Sequence, residues 1–257
     1  MLSLAVTNLE IPEPSAVHVW HLALDLLPDD LPACREILDE TEKARAARFI
    51  RPVHGARFAA GRGQLRMVLG AYLRCPPETI SFGYNDKGKP AIVTPGPEIP
   101  FAFNLSHSGN LGILVVAGFS TVGVDVEACR ESRDLAPIAR RFFSSAEQVQ
   151  MGQLAEGDQC RAFYQCWTSK EALLKAWGTG LSTPLDRFSV SVLPHAYGVL
   201  ALNLPEWECY PWQIYPIEVV SGYAAAFAVP GHARLPSQYY LIPQAGKFLV
   251  SRQRRGA

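Results

Sequence analysis

The chain has no net charge, since 24 Lys and Arg balance 24 Asp and Glu. It therefore lacks the broad field of one sign that a nucleic-acid or anionic-lipid binder uses. The run Arg252-Gln253-Arg254-Arg255 is basic but short, and it reads as a frayed end. Long hydrophobic runs are absent too. The longest, Leu111 to Phe119, is far too short to span a bilayer and reads as a buried strand. Residues Met1 to Val6 have no basic region ahead of them, and Glu10 and Pro12 follow early, so no signal peptide is expected. The six cysteines, at 34, 75, 129, 160, 166 and 209, form no CxxC, and no Cys/His group has zinc spacing. That usage fits a reduced, cytoplasmic protein. His18 and His21 do not share a strand face, which argues against a metal pair. There is no Gly-x-Ser-x-Gly elbow. Gly61-Arg62-Gly63 follows no strand and lacks the spacing of a nucleotide fingerprint.

What is present suits a globular fold. An apolar content of 48% in 257 residues is enough to bury the core of one large or two small domains. Alternation predicts a strand over 17–24. A helix is expected from about Pro32 through Arg48 and ended by Pro52, then a second from about His54 to Leu73. Gly61 and Gly63 inside that second helix point to close helix packing. Short strands are predicted at 80–84 and 91–93, joined by the turn Asn85-Asp86-Lys87-Gly88-Lys89-Pro90. Thr94-Pro95-Gly96-Pro97 reads as a loop. Strands follow at 101–105, 111–117 and 122–127, then a helix at 136–143. Ser144 and Glu147 offer a capping box for the next helix. A long helix begins near Gln159 and is stopped by Gly178. Strands are expected over 185–192 and 223–229, and the segment after about 231 reads as an extension packed on the outside.

Two stretches carry the chemistry. In Trp167-Thr168-Ser169-Lys170-Glu171-Ala172-Leu173-Leu174-Lys175-Ala176-Trp177-Gly178-Thr179-Gly180-Leu181, Leu173 and Trp177 continue an apolar helix face begun by Phe163 and Cys166. Glu171 and Lys175 lie one turn apart on the polar face. As a surface pair they are worth only about 0.3–0.5 kcal/mol. In Val122-Gly123-Val124-Asp125-Val126-Glu127 the valines point one way. Asp125 and Glu127 point the other, roughly 6–7 Å apart along the strand. Two such carboxylates repel unless solvent or a cation lies between them. Few, hard oxygen ligands suit Mg²⁺ that keeps its waters and meets a phosphate, with Glu171 as a third carboxylate.

The pair of motifs, Gly-Val-Asp-Val-Glu and then Trp-Thr-Ser-Lys-Glu-Ala-Leu-Leu-Lys-Ala some forty residues on, resembles the 4′-phosphopantetheinyl transferases. The similarity is to their larger, single-chain class serving peptide and polyketide synthases, and it runs from about Arg45 to about Val192. Ala46-Ala47-Arg48-Phe49 before one long helix echoes Ala139-Arg140-Arg141-Phe142 before another. With the resemblance, this implies an α+β fold of two similar subdomains, 1–119 and 120–257, related by a pseudo-twofold axis.

The resemblance implies coenzyme A as donor and Mg²⁺ (or Mn²⁺) as cofactor, the metal held by Asp125, Glu127 and Glu171. It assigns Arg45 to the 3′-phosphate, Lys87-Gly88-Lys89 to the adenine nucleotide, and Ser106 with His107, after Asn104, to phosphate. Lys175 would steady the leaving group and Glu171 would act as general base. The nucleophile is expected outside the chain, on a serine of an acyl- or peptidyl-carrier protein, with 3′,5′-ADP released. Arg48 and Arg57 are weaker phosphate candidates. Arg140, Arg141, Phe142 and Phe143, with Met151 and Leu154 behind, are candidates to receive an acidic carrier, although both phenylalanines suit a core equally well. A monomer is expected. The alternatives are another Mg²⁺-dependent nucleotide-diphosphate transferase and an inactive carrier-binding module.

Overall fold

The structure, a computed structural model, describes residues 9–93, 99–130, 134–180, 183–192, 199–202 and 211–253. The expected loop Thr94 to Pro97, Leu181, Cys209 and the Arg254-Arg255 pair lie outside those residues.

Strand β1 (Val17–Ala23) opens the fold as its alternation predicts. The single helix expected from Pro32 is instead two, α1 (Leu31–Glu36) and α2 (Glu40–Ala47). Asp39 causes the break. Its side chain accepts the Glu42 N–H, while Glu42 accepts the Asp39 N–H, and this capping box starts a new helix. Pro52 does not end a helix either. It sits in the first turn of α3 (Pro52–Leu73), where a missing N–H leaves no carbonyl unpaired. Gly63 does serve close packing, because a β-carbon there would collide with Cys34 of α1.

The remaining elements are β2 (Ser81–Tyr84), β3 (Pro90–Val93), β4 (Ala102–Ser108), β5 (Leu111–Ala117), β6 (Gly123–Ala128), α4 (Ala136–Phe142), α5 (Ser145–Gly152), α6 (Glu156–Trp177), β7 (Phe188–Val190), β8 (Val199–Leu202), β9 (Trp212–Pro216), β10 (Tyr223–Pro230), β11 (Ser237–Gln244) and β12 (Lys247–Arg252). Helix α6 starts earlier than Gln159, with Glu156 and Asp158 placed favourably at its positive end. One sheet has the order β12-β11-β1-β5-β4 and another β6-β10-β9; β2-β3 and β7-β8 are separate pairs. Pairing is antiparallel except between β1 and β11. The last segment is therefore no outer extension of the second half. It adds two strands to the sheet of the first half. His21 bonds Gln238 at 2.6 Å and Trp20 stacks on Tyr239 at 4.7 Å, which fastens β11 to β1.

The fold is α+β, as expected, and its layers explain the alternation. Trp20, Leu22, Leu114 and Val116 face α3 through Leu65 and Leu69. Val17, Val19, Ile113 and Val115 face the second sheet, where Val122, Val124, Val126 and Phe227 meet them. Ala224, Ala226 and Ala228 on that sheet's far side pack on α6 through Leu173 and Trp177. Two long helices thus enclose two stacked sheets, and the odd-numbered carboxylates of β6 face α6.

The echo between the halves extends to a buried ion pair. Glu42 of the first capping box accepts Arg66 and Arg62, each at 2.6 Å. Glu147 of the Ser144 capping box meets Lys170 at 2.8 Å. Arg66 and Lys170 are each the fifteenth residue of a 22-residue helix. Each also donates to two carbonyls after its helix, Pro77 and Ile80 in one half, Leu185 and Phe188 in the other. Each lies over an aromatic ring, Phe82 or Phe188.

Lys170→Met leaves Glu147 buried without its cation, and an equilibrium urea titration is expected to show a loss of about 3–5 kcal/mol. A double variant that also replaces Glu147 with Gln, which removes the charge and keeps an acceptor oxygen for the buried N–H groups beside it, should recover part of that loss; no recovery would contradict the pairing. His18 bonds Tyr72 at 2.7 Å, and burial, then Arg252, lowers its pKa from 6.5 to about 4. The unfolded chain then takes up the proton first, so this contribution is intact at pH 7 and is lost as pH falls from about 6.5 towards 4. Urea midpoints measured across that window should fall less steeply for His18→Asn than for the parent; equal slopes would contradict this.

Candidate active site

Gly123 opens β6 directly beneath α6. A β-carbon there would collide with the carbonyl of Ala172 and the N–H of Ala176, so only glycine allows the helix this close. Thr121 Oγ1 donates to Ala176 O at 2.7 Å and fixes the same contact. Glu171 and Lys175 are thereby set against the strand.

Lys175 Nζ reaches Asp125 Oδ1 at 2.6 Å and Ser106 Oγ at 2.9 Å, and Ser106 itself donates to Asp125 Oδ1 at 2.9 Å. Strand β4 runs beside β6 and presents alternate residues to it. Asn104 Oδ1 accepts the Val124 N–H, Ser106 holds Asp125, and Ser108 donates to Glu127 Oε2 at 2.8 Å. Asp125 is only 5% exposed, and its Oδ2 has no hydrogen-bond partner.

Burial first, and then Asp125, raise the Glu171 pKa to about 7; Lys175 opposes this and Glu127 adds to it. Glu127 is raised by burial and by Asp125, against the Ser108 hydrogen bond. The three acids therefore act on one another. Among the described residues, however, no three His, Cys, Asp or Glu are gathered closely enough to hold a metal as they stand. The Lys175 ammonium occupies Asp125 instead. The donor set still fits a hard divalent cation: a buried unpartnered carboxylate oxygen, two acids held up by desolvation and mutual repulsion, and a lysine already supplying positive charge.

The nucleotide-side candidates fall in the same neighbourhood. Arg45 is exposed on α2 with its guanidinium 5.0 Å above Phe58. His107 is exposed on the face of β4 opposite Ser106. Partial burial, Lys175 and Arg45 lower its pKa, so Arg45, His107 and Lys175 share one field. Lys87 lies beside Gly180, and Gly88 takes φ +79° with no neighbour within 4 Å of a would-be β-carbon, so its need is conformational.

Lys89, Asn104 and Ser106 spend their polar groups inside the protein. Lys89 Nζ donates to the carbonyls of Lys175 and Val122. Arg57 is engaged by both oxygens of Asp25. Phe143 is buried on Phe163, while Arg140 and Arg141 stay exposed and Phe142 is half-buried against Trp167. A hollow of about 180 Å³ is lined by Glu127, alone of the three acids, with Arg130, Ile138, Tyr164 and Trp167. A larger groove of about 490 Å³, walled by Leu154, Arg161 and Tyr223, contains none of the three acids or Lys175. Sequence reasoning missed Ser108, although its two-residue spacing from Ser106 matches that of Asp125 and Glu127.

The comparisons with known proteins agree with the motifs. Residues 121–228 match the model of the 4′-phosphopantetheinyl transferase superfamily, and residues 27–119 match that of the 4′-phosphopantetheinyl transferase N-terminal region. The 4′-phosphopantetheinyl transferase HetI of Nostoc sp. is 38% identical over 192 residues, covering 75% of this chain and 80% of its own. The chain belongs to the 4′-phosphopantetheinyl transferase family. It is similar also to the 4′-phosphopantetheinyl transferases Sfp of Bacillus subtilis, 32% identical with 79% of this chain and 86% of that one covered, and gsp of Aneurinibacillus migulanus, 30% identical with 71% and 72% covered. It is accordingly a transferase, an enzyme of this class, and it uses coenzyme A. None of its described helices is long and apolar enough to cross a membrane.

Gly123→Ala must push α6 off β6. Misplacing reacting groups by about 1 Å can cost about a hundredfold, so transfer activity is expected to fall by that order, with a lower urea midpoint. Parental activity and stability in the variant would contradict the contact.

Proposed function

We propose that this transferase moves 4′-phosphopantetheine from coenzyme A to a serine hydroxyl of acyl- and peptidyl-carrier proteins, releasing 3′,5′-ADP, with Mg²⁺ (or Mn²⁺) as its cofactor. The observation that carries the reading is the group of three acids and one lysine at the β6–α6 contact, with Glu171 raised to about 7. Asp125 through its free Oδ2, Glu127 and Glu171 would hold the cation. Once bound, the cation neutralises pyrophosphate charge on the donor. Lys175, already aimed at Asp125 from across the contact, adds a second positive charge where the leaving phosphate develops its negative one.

Glu171 takes the proton from the acceptor serine. A general base within reach of the proton it removes is typically worth about 10²–10⁴ in rate. The serine oxygen forms a bond to the β-phosphorus as the bond to the bridging oxygen breaks, and 3′,5′-ADP departs. Arg45 and His107 would meet donor phosphates, and the Lys87-Gly88-Lys89 turn would face the adenine nucleotide with its backbone. Asn104 and Ser106 belong to the donor site by setting the strand and the acid that line it. Exposed Arg140 and Arg141 beside Phe142 suit an acidic carrier surface.

The division into a nucleotide side, 1–119, and a metal and catalytic side, 120–257, is part of the same proposal. It is supported by two family matches that meet there, and β11 and β12 cross back over that boundary to complete the first sheet. A cytoplasmic monomer is proposed as well; five free cysteines among the described residues fit a reducing setting.

Incubating the protein with an apo acyl-carrier protein, coenzyme A and Mg²⁺ should add the mass of phosphopantetheine to the carrier. Glu171→Gln should bind coenzyme A at near-parental affinity and transfer at least about a hundredfold more slowly. Parental turnover in that variant would remove the base, and no mass gain with the parent would remove the reaction.

A further inference from the structure

Helix α6 has a C-terminal end that is capped from two other elements. The last carbonyls of a helix lack internal partners and carry its negative dipole end. Here Leu174 O receives the Gly178 N–H, Ala176 O receives Thr121 Oγ1, and Lys175 O receives Lys89 Nζ at 2.8 Å. The same ammonium donates to Val122 O at 3.0 Å and Thr121 Oγ1 at 3.3 Å. An ammonium has three N–H donors, and all three are used. They join the turn just before β3 in the first half to the residues just before β6 and to the end of α6 in the second.

The hairpin around Lys89 is itself stiff. Asn85 Oδ1 accepts the N–H groups of Lys87 and Lys89, and Asn85 N–H donates to Lys89 O. Its tip lies on the same helix end: Lys87 packs beside Gly180, and Asn85 faces Gly178. Burial lowers the Lys89 pKa to about 8, which leaves the group mostly charged at neutral pH.

We propose that Lys89 is a positioning residue, a cation from the first half that caps α6 and fixes where Glu171 and Lys175 stand, with its side chain holding the helix and not the donor. This rests on the catalytic roles proposed above for those two residues. The glutamate and lysine lie within the last two turns of α6, so a helix end released from its cap moves both. The turn proposed to face the nucleotide and the helix proposed to carry the base are thereby one mechanical unit.

Lys89→Met removes the charge and keeps most of the length. With an apo acyl-carrier protein as acceptor, kcat is expected to fall at least about tenfold, while the Kd for coenzyme A, measured by calorimetry, stays within about threefold. Amide hydrogen exchange on the protein without substrates should show protection lost over residues 174–178 and kept elsewhere. Thr121→Val, which removes the cap on Ala176 and one acceptor of Lys89, should give the same pattern more weakly and serves if the first variant does not fold. A weakened Kd with parental kcat would make Lys89 a donor contact and overturn the proposal. So would unchanged exchange over 174–178, or a lower melting temperature with parental kcat and Kd. If the parent itself transfers nothing, the proposed function fails, while the exchange measurement still decides whether Lys89 caps the helix.

Discussion

The close approach of α6 to β6 over Gly123 is the constraint from which the site follows. Any side chain at that position would lift the helix, and the helix carries Glu171 and Lys175 on the turn that faces the strand. Strand alternation then places Asp125 and Glu127 under them, and the valines between go into the core. Three acids and a lysine share a small, partly dry space. Burial first, and then repulsion from Asp125, raises Glu127 and Glu171. Lys175 offsets part of it by sitting on Asp125, and two serines of β4 offset more. Such a cluster costs folding free energy and persists because the surrounding core over-determines it.

That core is built twice. In each half a capping-box glutamate is buried, a cation at the same place in a 22-residue helix neutralises it, and that cation reaches on to two carbonyls beyond the helix. The arrangement ties a short helix, a long helix and the following segment into one unit without a disulfide. A buried pair of this kind is weak evidence for stability in itself, but losing one partner is costly. The two units then stack through their sheets, and β4 and β6 meet where Ser106 and Ser108 reach Asp125 and Glu127.

Much of the site was legible because its residues obey short periods. Alternation in 122–127 separated acids from valines, and the i, i+4 spacing of Glu171 and Lys175 put them on one helix face. The resemblance then joined two motifs that periodicity alone leaves apart. What was not legible depends on contacts distant in sequence. Nothing local says that Lys89 ends on the carbonyl of Lys175, or that β11 pairs with β1 more than two hundred residues away. The missed break between α1 and α2 was local: Asp39 and Glu42 spell a capping box, but the apolar and charged residues around them read as one continuous helix. Pro52 suits the end of one helix and the start of the next equally in sequence, and the structure uses it for the start.

The account stands on the claim that Asp125, Glu127 and Glu171 form one cation site that works with coenzyme A. Manganese titrated into the protein with saturating coenzyme A, followed by the electron paramagnetic resonance signal of the free ion, tests it directly. The account predicts that one equivalent of manganese disappears from the free pool for the parent protein, and that this bound equivalent is lost when Asp125 is replaced by Ala. A parent protein that leaves all manganese free, or an Asp125→Ala variant that binds it as the parent does, would contradict it.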